Sequence, residues 1–250
     1  MAKAILFDIS GVLHVDLTPI PGAIEAISGL RKLGIPMRFV TNTSRSCSDV
    51  IYHALNDMGF DVSADEIFTA ALAVKQVCEQ RELRPYCLIH PELEVEFAPL
   101  DQSDPNVVIV ADAADRFDYA HLNEAFSLLI NGAPLIGIGR NRYFKSGGRL
   151  QLDAGPFITA LEYAANIEAE ILGKPSSGFF LTAVNSLGCR VEDVLMIGDD
   201  VESDVLAAVD AGLQACLVRT GKYLPGDEDK AGQAAVAADV MEAVQTFFEI

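Results

Sequence analysis

Basic side chains are scarce in this 250-residue sequence: 18 Lys and Arg stand against 36 Asp and Glu, giving a formal net charge of −18 and a pI near 4.4. Neutralising a nucleic-acid backbone or an anionic membrane takes clustered cations, so the shortage argues against both as partners. Cysteine is equally unpatterned. Cys47, Cys78, Cys87, Cys189 and Cys216 are odd in number and never fall at CxxC spacing, which excludes a disulfide framework or structural zinc site and leaves free thiols as the expectation. His14, His53, His90 and His121 show no metal-ligand spacing either. No run approaches the roughly 20 apolar residues of a membrane span, and the start, Met1 to Asp8, lacks a signal-peptide core. A soluble, cytoplasmic protein is expected. Gly137-Ile138-Gly139 opens like a dinucleotide fingerprint, but position 142 is Arg, so GxGxxG fails.

Half of the residues are hydrophobic, with a mean hydropathy of +0.27, so the chain is no disordered polyanion. Its length suits one large domain or two modest ones. Apolar runs of four to six residues alternate with amphipathic stretches, the pattern of parallel strands joined by helices. Strands are expected at 4–7, 37–40, 67–68, 86–89, 107–111, 135–138, 194–197 and 215–218. Helices are expected from Gly22 to about Gly34, from Ser46 to Gly59, and over 70–80, 119–130, 156–166, 178–187, 203–211 and 236–248. The Pro-, Gly- and Asp-rich stretches 99–106 and 146–155 predict surface loops, as does the acidic run 227–229.

In an open parallel sheet, ligands collect beyond the carboxyl ends of the strands. Here those ends carry Asp8, then Thr41-Asn42, then Asp199-Asp200. Two acids from different strands can share one Mg²⁺, which prefers carboxylates and waters. A hydroxyl, an amide and a lysine (Thr41, Asn42 and Lys174) can hold phosphate oxygens. Together these groups describe a site for phosphoryl transfer.

Asp8-Ile9-Ser10-Gly11-Val12-Leu13, Val40-Thr41-Asn42-Thr43, Gly173-Lys174-Pro175 and Gly198-Asp199-Asp200 with Asp204 resemble, in order and spacing, the four motifs of the haloacid dehalogenase superfamily. The long insertion between the second and third motifs resembles the large-cap class of NagD-like phosphatases. Within it the likeness is strongest to the subgroup of haloacid-dehalogenase-like hydrolase domain-containing proteins and phospholysine phosphohistidine inorganic pyrophosphate phosphatases. The resemblance implies an α/β fold: a Rossmann-like, doubly wound parallel core from 1–80 and 172–250, with an α/β cap domain inserted at 81–171 that closes over the site. It implies a Mg²⁺-dependent hydrolase acting on a small phosphorylated compound or pyrophosphate, and a homodimer.

Carried over by position, the resemblance makes Asp8 the nucleophile that forms an aspartyl-phosphate. Thr41 and Asn42 bind the phosphoryl group and Lys174 offsets charge on its oxygens. Asp8, Asp199 and the carbonyl of Ser10 hold the metal, supported by Asp200 and Asp204. Asp153, Gly155 and Arg142 lie where the cap contributes substrate specificity; as a bare sequence feature Asp153 reads equally well as a helix cap. Arg140, Arg142, Lys145 and Arg149 form a basic cluster in an acidic chain, either a solvated hairpin or a surface that draws anions inward. One position departs from the family's pattern. The acid–base Asp expected two residues after the nucleophile is Ser10, and losing such a group commonly costs about 10²–10⁴ in rate. The same Ser occurs in the subgroup named above. The residue therefore fits either an enzyme for good leaving groups or a catalytically weak or inactive phospholigand-binding scaffold.

Overall fold

The computed structural model describes residues 2–146 and 149–249; the side chains of Lys145 and Ser146 also lie outside the description, so the Lys145 part of the basic cluster does too. The chain forms two compact units, one made of 1–41, 48–68 and 174–250, the other of 42–47 and 69–173.

The first unit is built on a six-stranded sheet whose spatial order is Ala235–Ala237, Gln214–Val218, Val194–Gly198, Ala4–Asp8, Met37–Thr41, Ile67–Thr69. Ala4–Asp8 is buried along its whole length and pairs in parallel with Val194–Gly198 on one side and Met37–Thr41 on the other. A strand covered on both faces has to be apolar throughout, which is why it reads as a continuous run. Phe7 and Phe39 stack with ring centroids 5.8 Å apart. Ile5, Phe7, Phe39, Leu195 and Ile197 belong to one buried cluster, and each such side chain contributes about 1.5–3 kcal/mol. The register sets Phe7 beside Ile197 and Asp8 beside Val40. The chain therefore emerges at one sheet end as Asp8, Thr41 and, just after Gly198, Asp199.

The second unit carries its own four-stranded sheet, ordered Glu170–Ile171, Leu135–Gly137, Val107–Val110, Pro85–Leu88 and parallel throughout. Its separate core includes Val108, Val110, Leu129, Ile158 and Leu161. Helices Ala70–Gln80, Tyr119–Ile130 and Ala154–Ala165 belong to this unit.

Several local expectations are corrected. The closing segment is not one helix from 236: Ala235–Ala237 adds a parallel edge strand to Gln214–Val218, and helix Val240–Phe247 starts only after Asp239 caps it by accepting the Glu242 N–H. The expected loop 146–155 holds the end of strand Tyr143–Ser146 and its antiparallel partner Arg149–Leu152, and then the start of helix Ala154–Ala165. The acidic run 227–229 begins a short helix, Asp227–Lys230, in which Asp227 is buried and paired with Lys230 at 2.8 Å. Helix Ser48–Asp57 begins two residues after Ser46. All five cysteines are free, with Cys47, Cys78 and Cys216 buried and the other two half-buried. Among the described residues no helix is long and apolar enough to cross a membrane.

Candidate active site

Asp8, Thr41, Lys174, Asp199 and Asp204 are all buried, and all belong to the first unit. Burial of five polar groups at a sheet end runs against the cost of desolvation unless they compensate one another. Lys174 does much of this. Its ammonium donates to Asp8 Oδ1 and, at 2.6 Å, to Asp204 Oδ1. Burial by itself lowers an ammonium pKa, yet the carboxylates of Asp204 and Asp8 outweigh it and hold Lys174 firmly protonated. One oxygen from each of Asp8, Asp199 and Asp204 lies within 4.8 Å of the others. Three neighbouring carboxylates, two of them bonded to one ammonium, leave two negative charges in excess when all are ionised.

That excess appears in the titration of the acids. Burial first, then the charge of Asp8, pushes Asp199 up to about 7. Asp204 is raised as well, by burial and by Asp8, with Lys174 opposing. Asp199 Oδ2 accepts the Lys222 N–H at 2.6 Å, whereas its Oδ1 is buried with no hydrogen-bond partner among the described residues. A buried carboxylate oxygen without a donor costs energy, and a hard divalent cation is the partner that oxygen ligands of this kind suit. The donor set thus fits Mg²⁺ in charge and in chemistry.

Three glycines make room for the acids, and sequence reasoning passed over them as ligand-shaping positions. A Cβ on Gly11 would lie 2.1 Å from Asp199 Oδ2, and one on Gly221 2.0 Å from the same atom. Both glycines also have positive φ, +91° and +61°, where a side chain is strained. A Cβ on Gly198 would lie 2.2 Å from Asp204 Cβ. The available signal was their position: Gly11 and Gly198 lie inside the quoted motifs, and Gly221 directly precedes Lys222, whose N–H holds Asp199.

Asp200 is half-buried and caps the next segment, accepting the Glu202 and Ser203 N–H groups at 3.1 and 2.9 Å. Val201–Leu206 winds as a wide π-helical turn, a form common at functional sites, and Asp204 is carried on it. Ser10 is exposed and bridges to His14, whose Nδ1 is buried without a hydrogen-bond partner among the described residues.

The remaining expected site residues lie in the second unit, including Asn42, although Thr41 belongs to the first. Asp153 caps helix Ala154–Ala165 through the Ala154 N–H at 2.7 Å, and burial raises its pKa. The exposed Arg142 lines a cavity of about 410 Å³ with Arg140, Tyr143 and Gly155. Arg140 is occupied by the buried Glu162, at 2.6 and 3.0 Å.

Residues 5–101 match a family model described as haloacid dehalogenase-like hydrolase, and residues 171–243 match a HAD-hydrolase-like model. The chain is 44% identical over 232 residues to haloacid dehalogenase-like hydrolase domain-containing protein 2 of Bos taurus, covering 93% of this chain and 90% of the relative. It is 42% identical over 233 residues to the phospholysine phosphohistidine inorganic pyrophosphate phosphatase of Xenopus laevis, covering 90% and 86%. In fold it is similar to the crystal structure of 4-nitrophenylphosphatase from Thermotoga maritima, with a TM-score of 0.89 and 24% identity over 98% of this chain and 97% of that one.

Proposed function

The chain belongs to the haloacid dehalogenase-like hydrolases, and from that premise we propose that it is a Mg²⁺-dependent phosphatase passing the phosphoryl group of a small phosphorylated compound to Asp8 and then to water. The observation that carries this reading is the buried cluster Asp8, Asp199 and Asp204, with Lys174 bonded to Asp8 and Asp204 and one Asp199 oxygen without a hydrogen-bond partner among the described residues. Asp8, Asp199 and the carbonyl of Ser10 would hold the ion, with Asp204 and Asp200 fixing the groups around it. When bound, Mg²⁺ supplies the positive charge that offsets Asp8 and the phosphoryl oxygens.

The Asp8 carboxylate forms a bond to phosphorus as the bond to the leaving group breaks, and the leaving group departs with the electron pair. Lys174 aims that carboxylate through its hydrogen bond and, with Thr41 and Asn42, takes up charge on the transferring oxygens. Water then attacks phosphorus, the Asp8–phosphorus bond breaks, inorganic phosphate leaves and the carboxylate is regenerated. The second unit, in this reading, is the cap that sets substrate choice through Arg142, Asp153 and Gly155. A homodimer and a cytoplasmic location belong to the same reading. Turnover of a panel of phosphorylated metabolites with and without Mg²⁺, using Asp8→Asn as the blank, tests it; metal-independent turnover would sink it.

A hydroxyl is a poor general acid at neutral pH, so Ser10 should confine efficient turnover to leaving groups that need little protonation. Phosphoramidates, pyrophosphate and aryl phosphates qualify, in keeping with the name of the Xenopus relative. An aryl phosphate is expected to turn over far faster than an alkyl one, and Ser10→Asp should narrow the gap by about 10-fold or more. Equal rates in the unaltered protein would contradict this.

Metal binding should depend on pH in a defined direction. With Asp199 raised to about 7, the metal-free protein holds this proton below neutrality, and Mg²⁺ must displace it; above neutrality the carboxylate is already charged and the ion relieves its repulsion. The stability of the metal-free fold runs the opposite way, since a proton held more tightly in the folded than in the unfolded chain makes stability fall as pH rises toward 7. The increase in Tm on adding Mg²⁺ is therefore expected to be small at pH 5.5 and distinctly larger at pH 8. An equal increase at both would rule this out.

A further inference from the structure

The chain passes between its two units at 41/42, 47/48, 68/69 and 173/174. Two of these crossings fall at proposed phosphoryl-handling residues, splitting Thr41 from Asn42 and Gly173 from Lys174. Residues 42–47 contain no helix or strand, yet they group with the second unit. A segment without a backbone ladder is placed by its side chains, and two of them are informative.

Asn42 lies against the Gly173 backbone: a Cβ there would come within 2.8 Å of Asn42 Oδ1 and 2.0 Å of the Ile138 carbonyl oxygen. Three residues on, Arg45 Nε donates to Asp112 Oδ2, and its guanidinium carbon sits 4.5 Å from the centroid of the Phe144 ring. Asp112 is 4% exposed and is itself fixed, accepting the Ala114 N–H at 2.9 Å. A carboxylate so deeply buried holds its counter-ion tightly, because removing either partner strands a charge. The aromatic face adds a cation–π contact on the same guanidinium.

We propose that Arg45, clamped by Asp112 and Phe144, is a positioning residue that sets Asn42 for the phosphoryl group. Asn42 is the member of the phosphate-binding pair that goes with the second unit, and the clamp fixes its segment there. The inference rests on the reading of Asn42 as a phosphate ligand. It also gives the buried Asp112, which takes no part in the reaction, a role.

The test uses the full-length protein with Mg²⁺, an aryl phosphate as substrate and inorganic phosphate as the binding probe. Arg45→Ala is expected to lower kcat/KM about 10- to 100-fold, the scale of a small displacement of a positioning group. It should weaken inorganic phosphate binding and leave Mg²⁺ affinity unchanged. Asp112→Asn should reproduce the loss, Arg45→Lys should restore part of it, and the double variant Arg45→Ala with Asp112→Asn should be no worse than either single one. The milder Asp112→Asn and Arg45→Lys keep the test alive if Arg45→Ala does not fold.

A lowered Tm with unchanged phosphate binding and kcat/KM would make the clamp purely structural and overturn the proposal. A loss confined to substrates bearing a second anionic group would make Arg45 a direct substrate contact, which overturns it equally. Absence of Asp8-dependent turnover in the unaltered protein would sink the phosphatase reading instead. Phosphate binding by calorimetry still judges the clamp in that case, and equal affinities in the unaltered protein and Arg45→Ala would overturn it.

Discussion

Replacing Asp8 with Asn should abolish turnover, with kcat falling on the order of 10⁴- to 10⁶-fold, the range seen when a covalent nucleophile is lost. The amide fills the same space but brings no anionic oxygen to phosphorus. Stability should not fall with activity. Asp8 is one of three neighbouring buried carboxylates, and its charge is among the causes that raise Asp199 and Asp204. Neutralising it relieves repulsion while Lys174 keeps Asp204. The variant is thus expected to fold with a metal-free Tm at or above that of the unaltered protein. Retained turnover, or collapse of the fold, would contradict the role assigned to Asp8.

Lys174→Met should have the opposite balance, damaging stability as well as chemistry. The ammonium is 6% exposed and bonds Asp8 and Asp204. Removing one partner from a buried ion pair costs about 3–5 kcal/mol because the other charge is stranded. The stranded carboxylates can recover by taking up protons, so the deficit should shrink as pH falls. Chemical denaturation at pH 8 and pH 5.5 checks this: the gap between Lys174→Met and the unaltered protein should be wide at pH 8 and narrow at pH 5.5. A gap of constant size would mean that Lys174 is not the counter-ion of this cluster.

These acids were legible in the sequence for a physical reason. Parallel strands buried on both faces read as unbroken apolar runs, so a polar residue ending such a run marks a strand end; Asp8, Thr41 and Asp199 stand out in this way. Lys174 and Asp204 end no strand: the lysine was readable only as a group able to hold phosphate oxygens, and Asp204 came from motif resemblance alone. The glycines that cradle Asp199 stayed hidden because Gly11 and Gly221 are far from it in the chain; Gly198 lies only six residues from Asp204, but the turn that brings them together is set by the fold. Edge strand Ala235–Ala237 was misread because an Ala- and Val-rich stretch fits helix and strand alike, and pairing with Gln214–Val218 decides between them. Asp227 looked solvated within its acidic run, but its ion pair with Lys230 and the Leu224 N–H permit burial. The Arg45–Asp112 pair spans 67 residues of sequence, and no local pattern announces it.

The acidic excess that opened the sequence reading, 36 acids against 18 bases, carries a more specific meaning at this site. Three of those acids form a buried cluster whose uncompensated charge suits a divalent cation, so a strongly negative chain can still take an anionic substrate. The central claim is that phosphorus becomes covalently bound to Asp8. Rapid acid quenching during Mg²⁺-dependent turnover of an aryl phosphate, followed by peptide mass spectrometry, measures this directly. A phosphoryl adduct is expected on the peptide containing Asp8; it should form within one turnover, decay to inorganic phosphate and be absent from Asp8→Asn. Turnover with no adduct on that peptide, or with an adduct on another residue, would contradict it.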